Sequence, residues 1–421
     1  MTKDPLRVRH YLHLDEPPRR SALKKSVSNP ETVAQWQFLP LIAAKVVTKK
    51  VKQTPHGFVT KPKERPICYA SHKDAALYAY YAEKLTKQYE TLLNARGLNS
   101  VVTAFRSADG RCNIHFALEA FQWIDTNRPC VAFAYDISGF FDSLDHQLLR
   151  AKWMQVLGVT SLPKDHYAIF RSLTRHTQVE RDALYEIFGI SRHAPRACGR
   201  TRICTPQQFR KIVVAGDLLI HNETSKGIPQ GTPISATLSN IYMLDFDEKL
   251  NAQVEQWGGF YRRYCDDVLC VIPPKFADEA KAFIESLIAD MKLEVQQEKL
   301  EVRSFGPCSL AIRPPLQYLG LIYDGVRILL RAGSVARFYS RLRRGVRMAD
   351  LARKKVAREL GVPEGQVPIK RGRLNRSYLY SGHKNFVSYA YRASRVTQSD
   401  AIRGQVARRQ AAIDRAIKKK E

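Results

Sequence analysis

The spacing of apolar and polar residues predicts a chain of mixed helix and sheet. Residues 131–137 alternate as a strand does, and residues 143–156 return to helical spacing. Apolar residues that share one face predict helices over 75–93 and 113–124. A further helix is predicted over 335–360, where an apolar stripe lies opposite a basic face. The pattern therefore favours the α/β (α+β) fold class.

A second group of predicted elements lies in the centre of the chain. The loop at residues 227–233 contains two glycines and two prolines and precedes a predicted helix over 234–250. Two apolar or mixed runs, residues 259–264 and 268–272, predict a β-hairpin with an acidic tip. The elements predicted after it are a helix over 275–291 and a strand over 316–323.

Composition divides the chain into four segments. Residues 1–35 are polar and contain prolines, which predicts an extended N-terminal arm. Residues 36–125 and 126–330 follow as two segments with ordinary hydrophobic content. Within the second of these, residues 157–225 show no clear period and are interpreted as an insertion. Residues 331–421 are predicted to form basic helices.

The charge of the chain indicates a polyanionic partner. The 68 lysines and arginines exceed the 40 aspartates and glutamates, for a net charge of +28. Residues 331–421 alone hold 24 basic residues against 6 acidic ones. Basic surfaces bind phosphates with release of counterions, so a nucleic acid is the expected partner. A soluble basic protein without such a partner is the alternative.

Cysteine usage and the N-terminus bear on location. The eight cysteines form no CxxC pair, which argues against a zinc site and fits a reducing compartment. The N-terminus has no apolar leader, and no apolar run is long enough to span a membrane. We therefore expect a cytoplasmic protein without a membrane partner. The oligomeric state stays open.

Three aspartates are the strongest candidates for chemistry. Asp136 ends the predicted strand, and Asp266 and Asp267 lie at the hairpin tip. Three carboxylates packed together need a counter-charge, because like charges disfavour ionisation. Two Mg²⁺ ions would supply it, since Mg²⁺ prefers oxygen ligands and leaves room for phosphates. Each residue alone also fits an ordinary helix cap or turn.

Four further residues are candidates for binding a substrate. Lys63 and Arg65, in a basic turn that enters a short strand, suit a triphosphate, although a solvated turn fits equally. Gln230, beside Gly231, lies where backbone approaches a ligand closely, although an ordinary helix-entry loop has the same composition. Lys299 suits a leaving pyrophosphate or a plain surface position.

In this order, the motifs resemble the polymerase motifs of reverse transcriptases. Six segments carry the resemblance: residues 63–66 (KERP), Asp136 with Phe140 and Phe141, residues 227–231 (GIPQG), 264–267 (YCDD), Glu298 with Lys299, and 318–320 (YLG). The resemblance spans about residues 55–330. It implies a right-hand polymerase fold, with fingers at 36–125, a palm of antiparallel sheet and helices at 126–330, and a helical thumb at 331–421.

The resemblance also implies an activity and roles. The chain is expected to be an RNA-directed DNA polymerase that uses dNTPs and two Mg²⁺ ions and holds an RNA–DNA duplex. The implied metal ligands are Asp136, the carbonyl of Ile137, Asp266 and Asp267. Phe141 would exclude the ribose 2′-hydroxyl, and Lys299 would contact the pyrophosphate. The implied nucleotide-binding residues are Lys63, Arg65, Gln230 and Gly231. Candidate RNA-stacking rings are Tyr378, Tyr380, Phe386, Tyr389 and Tyr391.

Within the superfamily of retron and group II intron enzymes, the chain is most similar to bacterial defence-associated reverse transcriptases of the type 2 group. The supporting segments are residues 65–71, 102–106, 112–117 and 162–167. This similarity implies an associated noncoding RNA that is copied into cDNA in antiphage defence; whether the product is concatemeric stays open. The segment Ala104-Phe105-Arg106 argues against an intron maturase. Two more interpretations stay open: a template-independent or protein-primed polymerase of the abortive-infection type, and an RNA-binding protein on an inactive scaffold.

Overall fold

The chain folds into two compact units, each assembled from three separate segments. The computed structural model describes residues 4, 6–7, 9–54, 57–106, 110–379 and 384–418. Unit 1 comprises Met1–Ser107, Ile137–Ala252 and Phe283–Gln296. Unit 2 comprises Ala108–Asp136, Gln253–Ala282 and Gln297–Glu421. The division into fingers, palm and thumb stays a prediction.

Eleven strands and seventeen α-helices are present in the described part of the chain. The strands are β1 (Leu41–Thr54), β2 (Gly57–Tyr69), β3 (Cys130–Asp136), β4 (Thr177–Glu180), β5 (Ile220–His221), β6 (Phe260–Tyr264), β7 (Asp267–Ile272), β8 (Glu301–Phe305), β9 (Leu316–Tyr318), β10 (Leu321–Tyr323) and β11 (Ile328–Leu330). The helices are α1 (Arg20–Ser28), α2 (Pro30–Ala34), α3 (His72–Ala95), α4 (Asn113–Thr126), α5 (Phe140–Ser143), α6 (His146–Leu157), α7 (Lys164–Thr174), α8 (Arg181–Ile187), α9 (Pro206–Gln208), α10 (Ser235–Tyr242), α11 (Leu244–Gln256), α12 (Ala277–Asp290), α13 (Ala332–Leu360), α14 (Arg371–Tyr378), α15 (Phe386–Thr397), α16 (Asp400–Ala407) and α17 (Arg409–Lys418).

Unit 2 is built around an antiparallel sheet with the strand order β6-β7-β3-β8. The central strands β3 and β7 are mostly buried and rich in Val, Ala, Phe and Cys, as strands covered on both faces are. Helices α4, α15 and α16 contribute buried residues to the same core, among them Phe121, Ala390 and Ile402. A second sheet, β11-β10-β9, adds Tyr318 and Tyr323. The sheet is therefore a rigid support for the residues at its ends.

Unit 1 contains a long β-hairpin and a smaller core. Strands β1 and β2 pair antiparallel from Ile42 opposite Tyr69 to Thr54 opposite Gly57. Strand β4 pairs parallel to β1, and β5 completes the order β2-β1-β4-β5. Among the hairpin side chains that the structure describes, those at its base join the core, which includes the buried Ile42.

The structure confirms the predicted class of mixed helix and largely antiparallel sheet. It also corrects several predicted elements. The basic turn at Lys63 and Arg65 lies inside the thirteen-residue strand β2. The extended arm at residues 1–35 contains α1 and α2 and buries Leu12 and Val33. The helix predicted over 234–250 is two helices, and the strand predicted over 316–323 is a hairpin.

The segment interpreted as an insertion, residues 157–225, is folded and contains α7, α8 and strands of the unit 1 sheet. In the residues that the structure describes, no helix combines the length and the apolar character needed to cross a membrane.

Candidate active site

Three carboxylates lie at one end of the unit 2 sheet. Asp136, the last residue of β3, is the register partner of Asp267, the first residue of β7. Opposed residues in an antiparallel pair have Cα atoms about 4.5–5.5 Å apart. Asp266 directly precedes Asp267 in the turn from β6. The three residues are called the acid cluster below.

The turn that carries Asp266 is tight and supported from within the unit. Tyr264 pairs with Asp267, so only Cys265 and Asp266 connect the two strands. Cys265 has a φ of +60° and is buried. The fully buried Arg263 donates from Nη1 to the Cys265 carbonyl at 3.0 Å. Burial and the charge of Asp266 raise the pKa of the Cys265 thiol to about 12, so it stays neutral.

Burial and like charges in the acid cluster disfavour the ionised form of Asp267. Burial, together with the charges of Asp266 and Asp136, raises the pKa of Asp267 to about 7. The cations of Lys299 and Arg331 oppose this rise. Lys299 donates from Nζ to Oδ1 of Asp136 at 2.5 Å. The ammonium of Lys299 is therefore already paired with one of the three carboxylates, that of Asp136.

The carboxylates of the acid cluster are ligands suited to divalent cations, but their side chains are not in a metal-coordinating arrangement. Among the residues that the structure describes, no group of three or more histidine, cysteine, aspartate or glutamate side chains is positioned to hold a metal ion. The ammonium of Lys299 bonds one carboxylate oxygen of Asp136. The donors are carboxylate oxygens, which Mg²⁺ prefers. Burial and, after it, the charges of Asp266 and Asp136 raise the pKa of Asp267, so added positive charge would favour its ionised form.

Two further residues lie near the cluster, and one of them, Tyr318, belongs to the segment 318–320 that carries part of the resemblance to reverse transcriptases. Arg331, which precedes α13, lies close enough for its charge to lower the pKa of Asp267. Tyr318 is buried, and its hydroxyl has no hydrogen-bond partner within the described part of the chain. Burial and the charge of Asp267 raise the pKa of Tyr318. Arg331 belongs to none of the sequence motifs, so only its position in the fold identifies it.

In unit 1, the loop at residues 227–231, called the Gln230 loop below, is fixed by its backbone. Gln230 accepts a hydrogen bond at its carbonyl from the Cys68 N–H at 2.8 Å, and its side chain is exposed. Gly231 has a φ of +115°, and a Cβ added there would lie 2.6 Å from the carbonyl oxygen of Cys68 and 2.8 Å from Cγ2 of Ile67. Only glycine fits this approach without a shift. Arg65 is exposed on the same strand, β2.

Phe141 is attached to the Gln230 loop within unit 1. Its carbonyl accepts from the Ile228 N–H at 2.9 Å, and the Gly227 N–H donates to Leu144 at 2.8 Å. The half-buried Phe141 ring lies 5.7 Å from the ring of the buried Phe140. The structure therefore brings Phe141, Gln230 and the base of β2 into one hydrogen-bonded network.

The remaining predicted site residues are placed as follows. Ile137 is buried in unit 1 and pairs with Val295. Lys63 is opposite Thr48 in the β1–β2 hairpin, and its side chain lies outside the described part of the structure. Tyr380 also lies outside the described residues. The other candidate stacking rings pack against cores of unit 2, namely Tyr378, Phe386, Tyr389 and Tyr391. The functional roles of all these residues stay predictions.

Comparisons with known proteins identify the family. The family profile described as "Reverse transcriptase (RNA-dependent DNA polymerase)" matches residues 49–323, more than half of the chain. No curated protein sequence matches.

Similar solved structures include two structures of telomerase from Candida tropicalis and one of telomerase from Candida albicans. Apo telomerase from C. tropicalis, truncated from the C-terminal domain, has 12% identity and a TM-score of 0.44, covering 74% of this chain and 60% of its own. C. albicans telomerase with a TWJ fragment of telomeric RNA has 13% identity and a TM-score of 0.45, covering 95% and 65%. Apo C. tropicalis telomerase has 12% identity and a TM-score of 0.41, covering 94% and 64%.

The chain thus spans about 60–65% of the length of these telomerase chains. The profile match includes all six segments on which the resemblance was based, from residues 63–66 to residues 318–320. The chain belongs to the reverse transcriptase family, that is, to the RNA-dependent DNA polymerases.

Proposed function

We propose that this chain extends a DNA primer along an RNA template with dNTPs as substrates. The primer 3′-hydroxyl would attack the α-phosphate of the bound dNTP, forming a phosphodiester bond and releasing pyrophosphate. The observation that carries this proposal is the acid cluster: Asp136 and Asp267 oppose each other at the end of the unit 2 sheet, and Asp266 is adjacent.

Reverse transcriptases as a family use divalent metal ions, and the acid cluster suits them. Two Mg²⁺ ions, when bound, would stabilise charge on the attacking and leaving oxygens. The groups proposed to hold them are the carboxylates of Asp136, Asp266 and Asp267 and the carbonyl of Ile137. Lys299 would leave Asp136 and bind the released pyrophosphate, since its ammonium is a point charge suited to phosphate.

Residues of unit 1 are proposed to select the nucleotide. Phe141 would lie against the sugar and exclude a 2′-hydroxyl. Gln230 and Gly231 would contact the base pair, because the loop backbone is fixed and the Gln230 side chain is exposed. Arg65 and Lys63 would bind the triphosphate, for which a guanidinium offers paired donors.

Helix α13 is proposed to hold the RNA–DNA duplex by its phosphates. Arg341, Arg344 and Arg347 are among its basic residues, and its apolar stripe, with Leu342 and Val346, is buried. Phosphate contacts of this kind fix position without reading sequence. The thumb assigned to residues 331–421 is therefore part of this proposal.

A further part of the proposal concerns the RNA template. We propose that the chain is a bacterial defence-associated enzyme that copies a noncoding RNA in the cytoplasm during phage infection. The sequence segments that resemble the type 2 group support this proposal. Sequencing the nucleic acids that copurify with the protein tests it, because a single abundant RNA with matching cDNA is expected. A mixed population of cellular RNA would contradict it.

Primer extension with purified protein tests the activity itself. Asp266→Asn keeps the shape of the side chain and removes its charge. Loss of a group that hydrogen-bonds to a metal ligand already lowers activity about 10–100-fold. Loss of the ligand itself should therefore lower primer extension with Mg²⁺ by more than about 100-fold. Asp278→Asn, at an exposed aspartate of unit 2, is the matched control and should stay near wild type. Undiminished extension by Asp266→Asn would refute the metal assignment. Products without template sequence would instead indicate a template-independent polymerase.

A further inference from the structure

A cleft of about 760 Å³ opens in unit 1. Its walls are residues 34–41, one face of α7, and the ends of β4 and β5. None of the residues assigned above to polymerisation lines it, and no aspartate or glutamate is among the lining residues. A cleft with basic residues and without acidic ones suits an anionic ligand.

Helix α7 divides into a packed face and a cleft face. Asp165, Ile169 and Leu173 are buried on the packed face, where Asp165 accepts from the Tyr81 hydroxyl at 2.6 Å. The residues that line the cleft recur every three or four positions and so share one face: Lys164, Tyr167, Ala168, Arg171 and Arg175. This face is about 16 Å long, from the helical rise per residue. A face of this length can contact more than one phosphate of a single strand.

The cations of the cleft face are available to a ligand. Lys164, Arg171 and Arg175 are exposed, and their side chains make no ion pair or hydrogen bond to any residue that the structure describes. Basic residues near a helix C-terminus often serve to cap its carbonyls. Here other groups do so: the Asn222 side chain donates to the Thr174 carbonyl at 2.9 Å, and the Arg175 N–H donates to the Arg171 carbonyl at 2.9 Å. The two arginine side chains are therefore not used for capping.

Aromatic rings line the same cleft as these cations. Tyr167 is 45% exposed, with the Arg150 guanidinium 5.8 Å from its ring centroid. Trp36 is fixed by its indole N–H, which donates to Asp74 at 2.8 Å, and Phe38 stacks on Tyr78 at 5.7 Å. Exposed rings next to arginine and lysine side chains are the arrangement that proteins use to bind single-stranded nucleic acid. A compact anion such as free phosphate would have no use for the rings.

We propose that this cleft binds a single-stranded segment of nucleic acid, with phosphates on Lys164, Arg171 and Arg175 and a base stacked on Tyr167. The shared chemistry is a phosphodiester strand with unstacked bases, which the uncopied part of an RNA template or a single strand of DNA would provide. The inference rests on the proposed function only for the source of the strand. The cleft would hold that strand outside the duplex.

Fluorescence anisotropy with a labelled 12-nucleotide uridine oligonucleotide tests the proposal. The variant with both Arg171→Gln and Arg175→Gln should bind about 10-fold more weakly at 100 mM salt. A plot of the logarithm of the association constant against the logarithm of the salt concentration has a negative slope. In the double variant this slope should become less steep by about 1.4, since each phosphate contact on a single strand contributes about 0.7. Tyr167→Ala should weaken binding by about 10-fold with an unchanged slope, because stacking does not depend on salt.

The matched control carries Arg210→Gln and Lys211→Gln, which remove the same charge from exposed positions of unit 1 outside the cleft. Equal losses in cleft and control variants, or no loss in the cleft variant, would overturn the proposal. A thymidine oligonucleotide of equal length separates the sources: tighter binding of RNA indicates the template, and tighter binding of DNA indicates a DNA strand. Thermal denaturation of each variant, expected to match wild type, shows that folding is intact.

Extension on a hairpin primer–template with a one-nucleotide overhang separates this inference from the proposed function. The cleft variants should extend it within about twofold of wild type, because so short an overhang leaves no strand for the cleft. Asp266→Asn should fail to extend it while binding the uridine oligonucleotide as wild type does. Absence of extension by the wild-type protein would refute the proposed function alone, whereas the binding result would still decide the role of the cleft.

Discussion

The acid cluster of unit 2 and the Gln230 loop of unit 1 both have proposed roles in the reaction, yet they are built in opposite ways. The acid cluster consists of charged side chains at the end of a buried sheet, where burial and mutual repulsion oppose ionisation of Asp267. The Gln230 loop consists of backbone contacts, with Gly231 so close to Cys68 that a single Cβ does not fit. One region depends on charge and the other on shape. Substitutions that change charge without shape, or shape without charge, should therefore affect them differently.

The largest expected effect is at Asp267. Asp267→Asn should lower extension by more than about 100-fold, as for other ligands of a catalytic metal. It should also stabilise the metal-free fold. The pKa of Asp267 lies near 7 in the folded chain, above its unfolded value of 3.8, so its favourable contribution is full at low pH and is lost as the pH rises through 7. The variant avoids this loss, and its free energy of unfolding at pH 8 without Mg²⁺ should exceed that of wild type by about 2 kcal/mol.

Urea denaturation at pH 5 and pH 8 measures this difference, with Asp278→Asn as the control. The gain should be larger at pH 8 than at pH 5, because the loss in wild type develops between the unfolded pKa of 3.8 and the folded pKa of about 7. A variant less stable than wild type at pH 8 would show that the carboxylate of Asp267 is not under electrostatic repulsion.

The next effect is at Gly231. Gly231→Ala should reduce the free energy of unfolding by about 2–4 kcal/mol, because overpacking and a positive φ each cost about 1–3 kcal/mol. Gly97→Ala is the matched control, since Gly97 has a φ of +69° and open space around it. The control should lose only the cost of its backbone conformation, about 1 kcal/mol. Equal losses at the two positions, measured by urea denaturation, would remove the steric argument for the Gln230 loop.

Phe141 gives a smaller effect, on selectivity. Phe141→Val shortens the ring that we place against the sugar, so the preference for dNTPs over rNTPs should fall by about 10-fold or more. Steady-state extension with single nucleotides of each kind measures the ratio of kcat/KM values. Phe140→Val, at the buried neighbour, should lower stability and leave the preference unchanged. If sugar preference is the same in Phe141→Val and wild type, the ring has only a packing role.

The smallest effect is at Lys299. Lys299→Met removes an ion pair whose two side chains are about 30% exposed, so stability should change by less than about 1 kcal/mol. The ammonium no longer competes for Asp136, and Mg²⁺ should raise the melting temperature at lower concentrations than in wild type. Lys355→Met, which breaks the exposed pair with Glu359, is the control and should leave the Mg²⁺ response unchanged. An unchanged or weaker response in Lys299→Met would show that the ammonium does not compete with the metal ion.

Much of the fold of the acid cluster could be predicted from the sequence. The apolar runs before and after Asp266 predicted the hairpin of β6 and β7, and the alternating run that ends at Asp136 predicted β3. These strands are buried, so their runs of apolar residues predict them from the sequence. The ion pair of Lys299 with Asp136 had no such signal, because residues 163 positions apart meet only through the tertiary fold.

Unit 1 was harder to predict for a physical reason. The outer parts of β1 and β2 carry exposed residues, such as Val47 and Glu64, so no burial pattern marks them as strands. Their regular pairing comes from the backbone hydrogen bonds of the hairpin. Helix α7 was likewise missed, because its buried face includes the polar residues Asp165, His166 and Thr174, which interrupt the apolar pattern. Exposed strands and buried polar residues weaken the periodicity on which such predictions depend.

The pairing of Asp136 with Asp267 limits how these strands can change in length. Side chains alternate between the two faces of a sheet, so removing one residue from either strand would send its carboxylate to the opposite face. A single-residue deletion at Ala134 or Cys270 would thus separate the two acids while every other element kept its sequence. Exchanges of one apolar residue for another in these strands would leave the two carboxylates facing each other.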